Sequence, residues 1–150
     1  MTGVSHPEME NAIRKWLRQV CEHFQIGQCH IFQTEEHNGA LNIRHHWPVK
    51  GIPIASVLRA DKQFPWAIGK IRRGEAVCFP RIDELPAEAA NEKIFCRTHG
   101  IRSALVIPVA AAGQLLWIIT FASLENEQYW SDQLAARMQI IGHVFASTLA

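Results

Sequence analysis

The chain has 150 residues, about the size of one domain, and carries a formal net charge of +1. Apolar residues make up 48% and charged residues 19%, which excludes a disordered segment. The near-neutral balance also excludes a strongly basic nucleic-acid clamp and an acidic solvating tail.

Residues Met1 to Asn11 are polar and include Pro7, Glu8 and Glu10, which is not the pattern of a signal peptide. Ser5-His6-Pro7-Glu8 reads as a capping box with proline in the first turn. Met9, Ile13, Trp16, Val20 and Phe24 then recur at steps of three or four, one stripe of a helix over about 6–26, with Gly27 as its stop. Cys29 to Thr34 reads as a strand, and Glu35 to Gly39 as a hairpin turn closed by Asn38-Gly39. Leu41, Ile43, His45 and Trp47 alternate with polar residues as a second strand, ended by Pro48.

Lys50 to Pro65 reads as loop, Trp66 to Arg73 as a short helix stopped by Gly74, and Glu75 to Phe79 as a short strand. Pro86 to His99 is helix-like with Gly100 at its C′ position. Ala104 to Ala122 is uncharged for long enough to suggest a membrane span. Pro108, Gly113 and Gln114 interrupt it where a turn is needed, so it reads as the hairpin Arg102 to Val109 and Leu115 to Ser123. Ser131 caps a last helix, 131–150, with the stripe Leu134, Met138, Ile141, Phe145 and Leu149; Ala136, Ile140 and Val144 lie beside it. Mostly antiparallel strands with helices grouped around them define an α+β domain.

The four cysteines, Cys21, Cys29, Cys78 and Cys96, are scattered and form no CxxC pair, as expected of reduced thiols in a cytoplasmic protein. In the terminal hairpin, alternation puts Leu105, Ile107, Leu115, Trp117, Ile119 and Phe121 on one face. Ala104, Val106, Leu116, Ile118, Thr120 and Ala122 fall on the other. The second set is smaller and includes a hydroxyl, which leaves room for a ligand.

The run from Asp83-Glu84-Leu85-Pro86-Ala87-Glu88-Ala89 into Gly100-Ile101-Arg102-Ser103-Ala104-Leu105-Val106-Ile107-Pro108-Val109 resembles a GAF domain. Gly113, Phe121-Ala122-Ser123, Trp130 and the helix ending Val144 to Ala150 continue the likeness, which is strongest from Trp66 onward. It is similar in particular to the sensory GAF domains of bacterial sensor histidine kinases and related signalling proteins. The resemblance implies a central antiparallel sheet, the terminal helices packed on one face, and a small-molecule pocket on the other. It also implies a single domain over 1–150, a segment of a longer signalling protein, dimerising through its first and last helices. The flanking Ile140 and Val144 suit such a seam.

Phytochrome-like members attach bilin through a Cys-His pair nine residues before the glycine matching Gly100. Asn91 and Glu92 stand there, so covalent bilin binding by that route is not expected. The asparagine, lysine, phenylalanine and acidic signature of cyclic-nucleotide-binding members is also missing. Cys96 and His99, with His45-His46 and Cys78, are the residues to weigh for a metal. The preferred reading is a buried small thiol and a histidine at a helix C-terminus, with no metal. Cys78 with Cys96 is the one pair to weigh for a methionine sulfoxide reductase of this fold.

The expected ligand-lining residues are the aromatics Trp47, Phe64 and Trp66, which border the long loop, Phe79 and Phe95, which face them, and with them Arg97, Val106 and Thr120. The function expected is a ligand-sensing regulatory module, with a purely structural dimerisation domain as the alternative. Neither catalysis by this domain, nucleic-acid binding nor membrane insertion is expected, and no cofactor is assigned.

Overall fold

The computed structural model describes residues 6–35, 39–47, 57–111, 113–125 and 130–149. Ser5, residues 36–38, Pro48, residues 50–56 of the expected loop and Ala150 lie outside these, as do the side chains of Met9, Phe145 and Leu149.

A helix, α1 (His6–Phe24), precedes strands β1 (Gln28–Thr34) and β2 (Ala40–Trp47). A short strand β3 (Val57–Arg59) and helices α2 (Ala60–Gln63) and α3 (Pro65–Arg72) follow. Strand β4 (Val77–Phe79), two single 3-10 turns and α4 (Ala90–Thr98) lead to the hairpin β5 (Ser103–Ala111) and β6 (Gln114–Ser123), and the last helix is α5 (Asp132–Leu149). The strands form one sheet in the order β3-β2-β1-β6-β5-β4, with every neighbouring pair antiparallel.

Two elements differ from expectation. The supposed loop from Lys50 to Pro65 contains β3 and α2; three residues are too few to show a strand period, and pairing of Leu58 with Leu41 fixes them instead. The expected helix Pro86–His99 is a 3-10 turn, Ala87–Ala89, running into α4, with extended Pro86 at the cap.

The sheet divides two cores. On one face Ile13, Leu17, Val20 and Cys21 of α1 and Met138 of α5 meet Cys29, Ile31, Leu105, Ile107, Ile119 and Phe121. On the other, α2, α3 and α4 lie over Phe32, Leu41, Ala104, Ile118 and Ala122. Gly142 lets α5 approach the sheet closely, since a Cβ there would sit 3.1 Å from Ile119 Cδ1. Ser131 caps α5 as expected, its Oγ accepting the Leu134 N–H at 3.0 Å. The stop of α1 is Gln25 rather than Gly27: Gln25 takes φ +56°, and the Ile26 N–H closes onto the Cys21 carbonyl at 2.8 Å.

Both long hairpins are bulged, and each bulge reverses which face the following side chains occupy. Ile31 pairs with His45 but Phe32 pairs with Ile43, leaving Arg44 as the extra residue. Val109 pairs with Trp117 but Ala110 pairs with Leu115, leaving Leu116 extra. Leu115 therefore packs with the α2–α4 core and Trp117 with the α1–α5 core, so the expected placing of Leu115 beside Trp117 is corrected. The Thr34 hydroxyl sits at this bulge, 2.7 Å from the Leu115 carbonyl and 3.1 Å from that of Leu116.

Candidate functional site

Between the sheet and α2–α4 lies a cavity of about 120 Å³. Its floor is the second hairpin face, Ala104, Val106, Ile118, Thr120 and Ala122, joined by Gln28, His30 and Phe32 of β1. Small residues leave the space, and regular alternation in β5 and β6 keeps them on one side. Its roof is Phe64, Trp66, Ile68, Ile71, Glu92, Phe95 and Cys96, and Val77, Phe79 and Leu85 close the β4 edge.

Contacts between α2, α3 and α4 hold the roof together. The Asn91 side-chain amide donates to the Lys62 carbonyl at 3.1 Å. Phe64 and Phe95 meet edge to face at 4.7 Å between ring centroids, and Phe95 stacks on His99 at 4.1 Å. Lys70 Nζ lies 5.1 Å from the Trp66 ring centroid, leaving its charge at the outer edge of the roof.

Glu92 is the central polar residue. It stands three residues after the buried Ala89, the N-cap of α4, and four before the buried Cys96, and is itself only 5% exposed. Its Oε2 accepts the Ala67 N–H at 2.8 Å, capping α3 from a different helix. Pro65, the first residue of α3, has no N–H to offer, so Ala67 supplies one of the few free donors there. Its other oxygen, Oε1, is buried without a hydrogen-bond partner. Leaving such an acceptor unpaired costs about 1–3 kcal/mol.

The floor holds His30, stacked on Phe32 at 5.7 Å and on His46 at 6.0 Å. Burial lowers the ring's pKa from 6.5 to about 4, and the positive charge of His46 adds to the effect, so the ring is neutral near pH 7. Burial, reinforced by Glu92, pushes the Cys96 thiol up to about 12; Arg97 opposes this. Cys96 is thus a neutral part of the lining.

Of the expected lining residues, Phe64, Trp66, Phe79, Phe95, Val106 and Thr120 border the cavity. Two sit elsewhere. Trp47 packs against the α1–α5 core, because the bulge at Arg44 moves His45 and Trp47 to the far face. Arg97 is exposed, 3.9 Å from the exposed Asp83 carboxylate. Sequence reasoning passed over Glu92, His30 and Gln28. The alternation of Gln28, His30 and Phe32 against buried Cys29 and Ile31 carries a signal for two of them, and the face Ala89, Glu92, Cys96 for the third.

The thiols do not converge. Cys78 is exposed and alternates with Val77 and Phe79, which face the cavity, so it points away from Cys96. Burial and the charges of Asp132 and Glu84 raise its pKa. The pairing of Cys78 with Cys96 weighed for reductase chemistry is thereby ruled out in this geometry. His99 is held by its Nδ1, 3.0 Å from the Phe95 carbonyl. Among the described residues, no three His, Cys, Asp or Glu side chains group so as to hold a metal ion.

The GAF domain family model matches residues 8–149, and the chain belongs to that family. Among solved structures it is similar to the PixJ GAF domain of Thermosynechococcus elongatus in its blue-light-absorbing form, with 14% identity, a TM-score of 0.71, and 95% of this chain and 85% of that one covered. A type II free methionine-R-sulfoxide reductase from Thermoplasma acidophilum gives 14% identity and a TM-score of 0.69 over 93% and 90%. A domain of a protein described as a two-component sensor histidine kinase from Sinorhizobium meliloti 1021 gives 12% and 0.67 over 93% and 90%. At these identities the likeness is one of fold. No curated protein matches the chain.

Proposed function

We propose that this GAF domain is a ligand-sensing regulatory module, in which a small molecule held between the sheet and α2–α4 biases the position of α5. The observation that carries the reading is the cavity itself: an apolar space whose lining includes Glu92, a buried carboxylate with one oxygen unpartnered. Such concavities with few polar groups are the usual form of small-molecule sites. The sheet offers a short mechanical route. Val106, Ile118 and Thr120 line the cavity, while Ile107 and Ile119, their immediate neighbours in the chain, meet α5 at Gly142. A ligand moves α5 only if it binds two arrangements with different affinity.

GAF domains are generally sensory rather than catalytic, and this reading assigns the domain no chemistry of its own. The four free thiols support a reducing, cytoplasmic setting. No helix among the described residues is long and apolar enough to cross a membrane. A specific observation favours a second element of the reading, a homodimer through the terminal helices: Ile140 and Val144 of α5, one turn apart, are 65% and 64% exposed. Sedimentation of the wild-type protein and of Ile140→Glu/Val144→Glu tests this; a wild-type monomer at all concentrations would remove it.

The sensing reading is tested by thermal-shift screening of small organic compounds, followed by hydrogen exchange with a hit bound. Stabilisation should vanish in Ala104→Phe, which puts a benzyl group into the cavity. Exchange should change in the roof and over Met138 to Gly142. Hits that stabilise both proteins equally, or an unchanged α5, would contradict it.

A further inference from the structure

The cavity also carries information about the chemistry of its occupant, an inference that rests on the sensing reading above. Its size sets the first limit. An engineered apolar cavity of about 150 Å³ accommodates benzene. At about 120 Å³, this one has room for roughly one ring and no space for a tetrapyrrole. The aromatic roof of Phe64, Trp66 and Phe95 suits an apolar body of that size.

Charge sets the second limit. Among the described residues, the lining contains a carboxylate, Glu92, and neither lysine nor arginine. Arg97 points to solvent beside Asp83, and Lys70 lies against Trp66 rather than in the lining. A phosphate or carboxylate ligand would therefore be buried beside another acidic group, with no countercharge among the described lining residues. The third limit is set by Glu92 itself. One oxygen is already spent on the Ala67 N–H, which fixes the carboxylate in place, and Oε1 remains a buried acceptor without a donor. A carboxylate oxygen accepts hydrogen bonds, so the group that completes it is a donor.

We propose that the ligand is a compact single-ring molecule bearing an N–H donor, an aromatic amine or ammonium, whose nitrogen bonds Glu92 Oε1 while its ring lies under Phe64, Trp66 and Phe95. An ammonium would gain in addition from the aromatic faces around it.

The test is a matched series of toluene, aniline, benzylamine and benzoate, titrated into the whole 150-residue protein and followed by the methyl resonances of isoleucine. Ile118 reports the cavity, and Ile119, on the opposite face of β6 against α5, reports whether binding is felt there. The expected result is that Ile118 shifts with toluene and that aniline or benzylamine binds at least ten times more tightly than toluene or benzoate. In Glu92→Gln, whose side-chain oxygen can still accept from Ala67, that preference should shrink to less than about threefold. Toluene binding with no preference for the amines overturns the proposal and leaves the cavity reading intact. So does a preference that persists in Glu92→Gln, or tightest binding by benzoate. Binding of none of the four overturns both. The wild-type series needs no variant, so the proposal stays testable even if Glu92→Gln fails to fold.

Discussion

Lowering the pH should destabilise this domain through one residue, His30. In the folded protein its pKa is about 4, against 6.5 as an ordinary histidine, because the ring is buried beside His46. Between those values the unfolded chain binds a proton that the folded chain refuses, so stability rises with pH in this window. The contribution is fully present above pH 6.5 and is lost as pH falls toward 4. Integrating the two titrations gives a loss of about 2 kcal/mol at pH 5 and about 3 kcal/mol at pH 4. Urea unfolding of wild type and of His30→Gln at pH 7.5 and pH 5 isolates this residue, because the other titrating groups are common to both proteins. Wild type should lose about 2 kcal/mol more than the variant over that interval. Equal losses would show that His30 is not held neutral by its surroundings, and the placement of its ring in the cavity floor would be wrong.

Three further outcomes are expected. Gln25→Gly should stabilise the protein by about 1 kcal/mol, raising Tm by about 2–4 °C, because it relieves a left-handed residue at the end of α1; an unchanged or lower Tm in calorimetry would count against that strain. Gly142→Leu should destabilise by about 1–3 kcal/mol in denaturant titration, since a side chain there meets Ile119, whereas Gly142→Ala should change stability less because helix propensity offsets the contact. A thiol reagent should modify one cysteine of the four in the native protein, Cys78, at a rate that climbs with pH, and all four after denaturation. Early modification of Cys96 would show that the cavity roof opens readily.

How far the sequence alone reached is decided by local regularity. The hairpin β5–β6 was legible because unbroken alternation sorts Ala104, Val106, Ile118, Thr120 and Ala122 from Leu105, Ile107, Ile119 and Phe121. Trp47 and Leu115 were misplaced because a bulge adds one residue to one strand only, and nothing in Arg44 or Leu116 announces it. Strand β3 was invisible because it exists through its pairing with β2 rather than through a pattern of its own. The aromatic part of the cavity was legible from composition around the long loop. The polar part was not, because Glu92 on a charged-looking helix resembles a solvated residue until α3 is seen to begin against it. Arg97, expected in the lining, lies instead on the exposed side of α4 beside Asp83.

The central claim, that the cavity is built to hold a small molecule, is tested most directly by native mass spectrometry of the freshly purified protein, with an absorption spectrum of the same sample. A reproducible added mass matching a single-ring compound, present in wild type and absent from Ala104→Phe, is the result this account requires. A clean apo mass in both proteins, together with greater stability of Ala104→Phe than of wild type, would contradict it. The space would then be a packing gap in a structural domain.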